Sequence, residues 1–245
     1  MNLTVDIGNT QFKICIFDND KLIYHLYLKK FTRDTVEQLT KEYNIDYVIF
    51  SDTRNVNKKE FLSLFPEKLQ IIELTNQMPL PVKIDYQTPE TLGKDRIAGA
   101  VYAADKFQGV NCMLIDIGTA ITIDYIDAEG AFKGGIISPG PETRYRALHD
   151  YTGKLPMLEP VEDVNFIGNS TTSAIQSGVQ NGILYEINGY ISRFIKENNN
   201  TKIIITGGYA FLFEKKIKYP IFVNSFVVPQ GLNKILMYNI KREIK

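Results

Sequence analysis

Residues 1–12 read MNLTVDIGNTQF and residues 113–124 read MLIDIGTAITID, so an apolar strand twice runs into Asp-Ile-Gly and a small polar turn. Superposing Asp6 on Asp116 sets Val5 on Ile115, Ile7 on Ile117 and Gly8 on Gly118. The match extends beyond those letters. Each copy continues into a second strand (12–17 and 120–127), a polar turn (Asp18 to Lys21 and Asp127 to Gly130) and a third strand (22–28 and 131–137). Strand-forming runs bounded by Asp, Asn and Gly are the pattern of an antiparallel meander. Helices and strands alternate after both meanders, which predicts an α/β chain of two related domains, 1–108 and 109–245.

In the first half the pattern gives a helix at 34–43, strand 47–52, a helix near 57–65, strand 69–74 and a Pro-containing segment at 79–89. A helix then opens at GKDR, residues 93–96. In the second half, ISPGPETRYRALHDY leads through Gly and Pro into a helix, and a long amphipathic helix spans about 170–197. Its Ile175, Val179, Ile183, Ile187, Tyr190 and Phe194 recur at three- and four-residue steps, as a core-facing stripe requires. The Asn198-Asn199-Asn200 run ends it. Strand 202–206, helix 209–217, strand 221–228 and a helix from 230 complete the expected order.

Composition narrows the function classes. Lys+Arg and Asp+Glu both total 28, which gives no excess basic charge for nucleic acid or an anionic membrane. No apolar run approaches a bilayer span and no signal peptide is recognisable, so a cytoplasmic protein is expected. Cys15 and Cys112 lie in apolar strand contexts without metal-ligand spacing and read as buried thiols. His25 and His149 are far apart, which argues against a histidine metal site or a Ser/His triad.

The repeated turn suits phosphate. An Asp followed by Gly at a strand's end puts a carboxylate beside backbone that a ligand can approach closely, at Gly8 and at Gly118. Asn9, Thr10 and Thr119 add small side chains and amide donors in tight turns, and Lys13 brings a cation. Two such hairpins facing across a cleft would grip a polyphosphate, with the Asp side chains available to its metal. Neither a Walker-type phosphate loop nor a G-x-G-x-x-G after the first strand is present. Asp95 within GKDR offers a proton acceptor at the start of a helix, although a carboxylate there can equally cap the helix.

Paired D-x-G turns mark the acetate and sugar kinase, heat-shock cognate and actin superfamily, and this particular set resembles the type III pantothenate kinases. DIGNTQFK (6–13) is similar to that family's first phosphate motif, GKDR (93–96) to its G-x-D-R motif and DIGTAITID (116–124) to its second phosphate motif. GGIISPG (134–140) and TGGYA (206–210) fit its later glycine-rich segments, in family order. The resemblance implies two ribonuclease H-like domains of the actin-like ATPase superfamily with an interdomain nucleotide cleft.

It further implies ATP-dependent phosphorylation of pantothenate to 4′-phosphopantothenate, the first step of coenzyme A biosynthesis. By resemblance Asp95 is the general base. Asp6, Gly8, Asn9, Thr10, Lys13, Gly118, Thr119, Gly207 and Gly208 serve ATP, with Asp6 also meeting the Mg²⁺ that ATP carries. Asp116 would hold a monovalent cation, potassium or ammonium. Tyr86, Gly93, Lys94, Asp95, Arg96 and Thr171 would bind pantothenate. Thr172 is an adjacent contender for the Thr171 contact, and from the residues alone Thr171 can instead be a helix cap and Arg96 part of a surface ion pair. Asp124 is either a further polar contact or, the favoured reading, a strand-surface carboxylate. Lys94 stands where the family often has a small residue; it would weaken the base if it met Asp95, and is expected to face solvent. The family's long second-half helix lies at a homodimer interface, and neither nucleic acid nor membrane is an expected partner. The rival readings are a nucleotide-binding regulatory protein accessory to transcription and another small-molecule kinase of the superfamily.

Overall fold

The β-branched and aromatic residues frequent over residues 2–28 form pleated, half-buried surface readily, and they do so here. In the computed structural model, which describes residues 1–243, β1 (Asn2–Ile7), β2 (Phe12–Asp18) and β3 (Lys21–Leu28) pair antiparallel. Asn19, at φ 52°, makes the turn between β2 and β3 in the left-handed conformation that asparagine tolerates. α1 (Arg33–Glu42) follows, with the Thr32 side chain accepting from the Thr35 amide as its N-cap. β4 (Tyr47–Asp52) then pairs parallel with β1, and after α2 (Lys58–Leu62) β5 (Gln70–Glu73) pairs parallel with β4. α3 (Lys94–Lys106) ends the first half.

The second half repeats this plan strand for strand. β6 (Asn111–Ile117), β7 (Ala120–Ile126) and β8 (Phe132–Pro139) form the meander, followed by α4 (Pro141–Asp150) and α5 (Thr171–Glu197). β9 (Thr201–Thr206), α6 (Ala210–Phe213), β10 (Phe222–Val223) and α7 (Val227–Glu243) complete the order. The sheets run β3-β2-β1-β4-β5 and β8-β7-β6-β9-β10. Register repeats too: Asp6 lies opposite Ser51 of its parallel neighbour, and Asp116 opposite Thr206.

Each sheet has its own apolar core. Leu3, Val5, Ile7, Ile14, Ile16, Val36, Val48 and Phe50 are buried in the first. In the second, Ile175, Val179, Ile183, Ile187, Ile191 and Phe194 of α5 pack with Ile115, Ile117, Ile203 and Ile205, while Tyr190 is only partly buried. Cys15 and Cys112 are buried free thiols, each pushed up to about 12 by desolvation, so neither presents a thiolate. Among the described residues, no helix is long and apolar enough to cross a membrane.

The contacts divide the chain into two units, Met1–Lys106 with the residues from Phe226 onward, and Phe107–Ser225. α7, which follows the second meander in sequence, belongs to the first unit. Its Val227, Val228, Leu232, Ile235 and Leu236 are buried, and α3 supplies an equally apolar face in Ile97, Ala98 and Val101. Polar contacts reinforce the docking. Asn233 accepts from Asn2 at 2.8 Å and donates to the Asn19 carbonyl at 2.7 Å, while Lys234 pairs with Asp20 and Asp105. Two local expectations also change. Strand 221–228 shrinks to β10 because Val227 and Val228 enter the first turn of α7, where Pro229 costs no helical hydrogen bond. Helix 209–217 shrinks to α6 and a 3₁₀ turn at Glu214–Lys216. Residues 244 and 245 of the expected terminal helix lie outside the described residues.

The α3–α7 contact is close enough to test. A Cβ on Gly231 would collide with the carbonyl oxygen and carbon of Ala98, atoms of a helix backbone that cannot rotate away. Gly231→Ala gains up to about 1 kcal/mol of helix propensity but overpacks the contact by about 1–3 kcal/mol. A lower Tm in thermal unfolding is the expected result; an unchanged or higher Tm would show that the helices separate without cost.

Candidate active site

β1 delivers Asp6 to the first turn with its side chain 6% exposed, and Ser51 of β4 donates to its Oδ1 at 2.9 Å. Desolvation pushes the Asp6 carboxyl above its ordinary value; Lys13 and the Ser51 bond oppose this, Asp95 adds to it and Arg54 opposes it. A buried carboxylate held in that state suits a cation. The Gly8 amide donates to the Gln11 carbonyl at 3.2 Å and closes the turn that presents Asn9 and Thr10. A Cβ on Gly8 would meet only the Gln11 oxygen at 3.4 Å, an ordinary contact. Packing within the chain therefore does not demand glycine at position 8.

The parallel partner strand brings residues that sequence reasoning missed. Just after β4, Thr53 bonds to the Ile7 carbonyl through both its amide (3.2 Å) and its hydroxyl (2.9 Å). Asp52 accepts from the Arg54 and Val56 amides at 2.8 and 2.9 Å, which shapes the following loop. Arg54 Nε donates to the Gly8 carbonyl, and its guanidinium carbon lies 4.9 Å from the centre of the Phe12 ring. Its Nη2 is buried without a hydrogen-bond partner. The one sequence signal was positional: neighbouring parallel strands of an α/β sheet put their carboxyl ends at the same edge, and S-D-T-R ends β4.

The GKDR loop is anchored in the same unit. The Asn76 amide donates to the Pro89 and Leu92 carbonyls at 2.7 and 2.8 Å, holding the chain that leads to Gly93. Asp95 stands in the first turn of α3, and its Oδ1 accepts from the Arg96 amide at 2.9 Å. The helix-terminal bond thus occupies one carboxylate oxygen. A Cβ at position 93 would lie 2.6 Å from that Oδ1, so Gly93 is needed for Asp95 to keep this orientation. Arg96 is buried, with its guanidinium carbon 6.0 Å from the Tyr86 ring centre, within cation–π range. Lys94 does not face solvent: its Nζ lies 3.4 Å from Glu73, which also holds Lys58 at 2.5 Å. Burial alone would raise the Glu73 carboxyl, but the two ammonium groups outweigh it and hold it below the usual range.

In the second unit Asp116 ends β6 one residue before Ile117, and the Gly118 amide donates to the Ala120 carbonyl at 3.0 Å, as Gly8 does in its turn. The Thr119 carbonyl accepts from the Gly140 amide at 2.9 Å and the Thr143 hydroxyl at 2.7 Å, which locks the turn to the start of α4. Gly207, at φ +101°, follows β9; a Cβ there would lie 2.5 Å from Asp116 Oδ1 and from the Ile117 amide nitrogen. Only glycine serves at that position. At Gly208 a Cβ would meet nothing within 4 Å. Asp116, Gly118, Thr119, Gly207 and Gly208 thus gather at the carboxyl ends of β6 and β9. Thr171 is exposed at the first position of α5 and does not cap it; Ser170 does, in a reciprocal bond with Ser173. Asp124 is 1% exposed rather than on the sheet surface.

The first unit therefore joins Asp6, Lys13 and Asp95 electrostatically and sets Tyr86 beside Arg96, while the second gathers the later turn and the glycines after β9. Known proteins resemble this chain at the level of family and fold. A type III pantothenate kinase from Bacteroides fragilis is 38% identical over 239 residues, covering 98% of both chains. Among solved structures, a conserved Baf family protein from Campylobacter jejuni has a TM-score of 0.61 at 22% identity, covering 98% of this chain and 99% of that one. The activator of 2-hydroxyisocaproyl-CoA dehydratase from Clostridium difficile, with bound ADPNP, has a TM-score of 0.53 at 13% identity, covering 100% of this chain and 98% of that one. At such identities the likeness is one of fold alone. The family model for type III pantothenate kinase matches residues 2–193, and this chain belongs to that family.

Proposed function

We infer that this chain transfers the γ-phosphate of ATP to the primary hydroxyl of pantothenate, giving 4′-phosphopantothenate and opening coenzyme A biosynthesis. The observation that carries the mechanism is Asp95: one oxygen is engaged by the start of α3, and the carboxylate interacts with Asp6 of the first phosphate turn. Its Oδ2 takes the hydroxyl proton as the hydroxyl oxygen attacks the γ-phosphorus. Tyr86, Gly93, Arg96 and Thr171 hold pantothenate, and Lys94 supports the loop through Glu73.

The Gly8, Asn9 and Thr10 turn, with Lys13, binds ATP phosphate, as do Gly118 and Thr119; Gly207 and Gly208 lie against the adenosine. Packing does not require Gly8, which supports close approach of a ligand to that backbone. Asp6 is the residue to hold Mg²⁺, its buried carboxylate being stabilised by a cation; Mg²⁺ neutralises phosphate charge. Asp116 binds the monovalent cation, potassium or ammonium. The exposed Phe166, Ile167 and Tyr185 of the second unit support a homodimer. The balance of 28 basic and 28 acidic residues supports small-molecule partners without nucleic acid, and the metabolic role of the family supports a place in the cytoplasm.

The test is turnover by the purified protein with Mg·ATP and pantothenate, the product identified by mass spectrometry. Product is expected in potassium, with a lower rate when sodium replaces it. Equal rates in the two salts would remove the cation role from Asp116. ATP binding without product in either salt would overturn the kinase reading and favour a regulatory one.

A further inference from the structure

Arg54 stands outside every motif identified in the sequence, yet it is attached to the first phosphate turn at its centre. Its Nε holds the Gly8 carbonyl, its guanidinium lies over the Phe12 ring at 4.9 Å, and its Nη2 is buried with no partner. A buried, unsatisfied donor on a charged group is uncommon in a folded protein, and calls for an ion, a water or a functional role. Here the surroundings identify its kind. Lys13 and Arg54 both act on Asp6, so two cations border the turn. The ring and the Gly8 bond fix the plane of the guanidinium, whose fork of donors matches phosphate oxygens.

We propose that Arg54 is an ATP-binding residue of the first turn, giving its unpartnered Nη2 to a phosphate oxygen of the bound nucleotide while Nε keeps the Gly8 carbonyl in place. The proposal rests on the kinase reading for its ligand, and adds a residue to that site. Arg54 as a whole is only half-buried, so it stands at the edge of the turn rather than inside the apolar core. The requirement is for a guanidinium. A lysine at position 54 would supply a single point charge that cannot serve the Gly8 carbonyl and a phosphate together in this geometry.

The experiment compares wild type, Arg54→Lys and Arg54→Gln by calorimetric titration with Mg²⁺ and ADPNP, with adenosine, and by steady-state kinetics. Loss of a charged hydrogen bond predicts about 10- to 100-fold weaker ADPNP binding in Arg54→Gln. Adenosine affinity and the KM for pantothenate should stay near wild type, the KM for ATP should rise, and Arg54→Lys should recover only part of the loss. Equal weakening for adenosine and ADPNP, or a lower Tm with unchanged ADPNP affinity, would make Arg54 a tether of the turn and overturn the proposal. Calorimetry decides this even if wild type fails to phosphorylate pantothenate, so failure of the acceptor assignment and failure of the Arg54 assignment are separable.

Discussion

Asp95→Asn is expected to lower kcat by about 10²- to 10⁴-fold, the usual worth of a positioned proton acceptor. The substitution isolates chemistry from architecture. An asparagine side-chain oxygen can still accept from the Arg96 amide at 2.9 Å, so the start of α3 keeps its terminal bond. It loses the favourable interaction of a negative charge with the helix N-terminus, about 0.3–1 kcal/mol, a small change in Tm. What disappears is the ability to take a proton from the attacking hydroxyl. Asp95 also pushes the Asp6 carboxyl upward, so its neutral replacement leaves Asp6 easier to ionise and should not weaken Mg·ATP binding. A collapsed kcat with near-wild-type KM for ATP is therefore the expected signature in steady-state assays. More than a tenth of wild-type kcat remaining would remove the base from the mechanism.

Asp6→Asn should act in the opposite sense on stability and activity. Asp6 is buried, and desolvation raises its carboxyl above 3.8 despite Lys13, Ser51 and Arg54. A carboxyl raised by folding contributes stability that is present below the unfolded value and lost as pH climbs through the folded one. At neutral pH the buried charge is thus a cost, which asparagine removes while still accepting the Ser51 hydroxyl. The variant should melt at the same temperature as wild type or higher at pH 7, and the difference should close as pH falls toward 3.8. Turnover should fall by about 10²- to 10³-fold, as when one preorganised electrostatic group is removed from a site. Mg·ATP should no longer raise the Tm, because the stabilisation that comes from binding is lost with it. A variant less stable than wild type at pH 7 and fully active would show Asp6 to be a structural carboxylate.

Much of the scaffold could be read locally. The two meanders appear in strand-forming runs bounded by turn residues, and the Ile175 to Phe194 stripe appears in three- and four-residue steps; both patterns are written within a few turns of chain. GKDR likewise placed Asp95 at a helix start from neighbouring residues alone. Ser51 and Arg54 were silent because nothing local states that residues 47–52 lie parallel to β1; that pairing spans more than forty residues and is chosen by burial of both strands. The return of α7 to the first unit has the same origin: its apolar face could be read, but not the face that would cover it. Lys94 is a milder case, its salt bridge depending on β5 delivering Glu73. The sequence by itself determined the strands, the turns and the types of residue offered to phosphate. The tertiary structure alone decided which of those residues meet, because hydrophobic burial is non-directional and only assembled packing selects among distant partners.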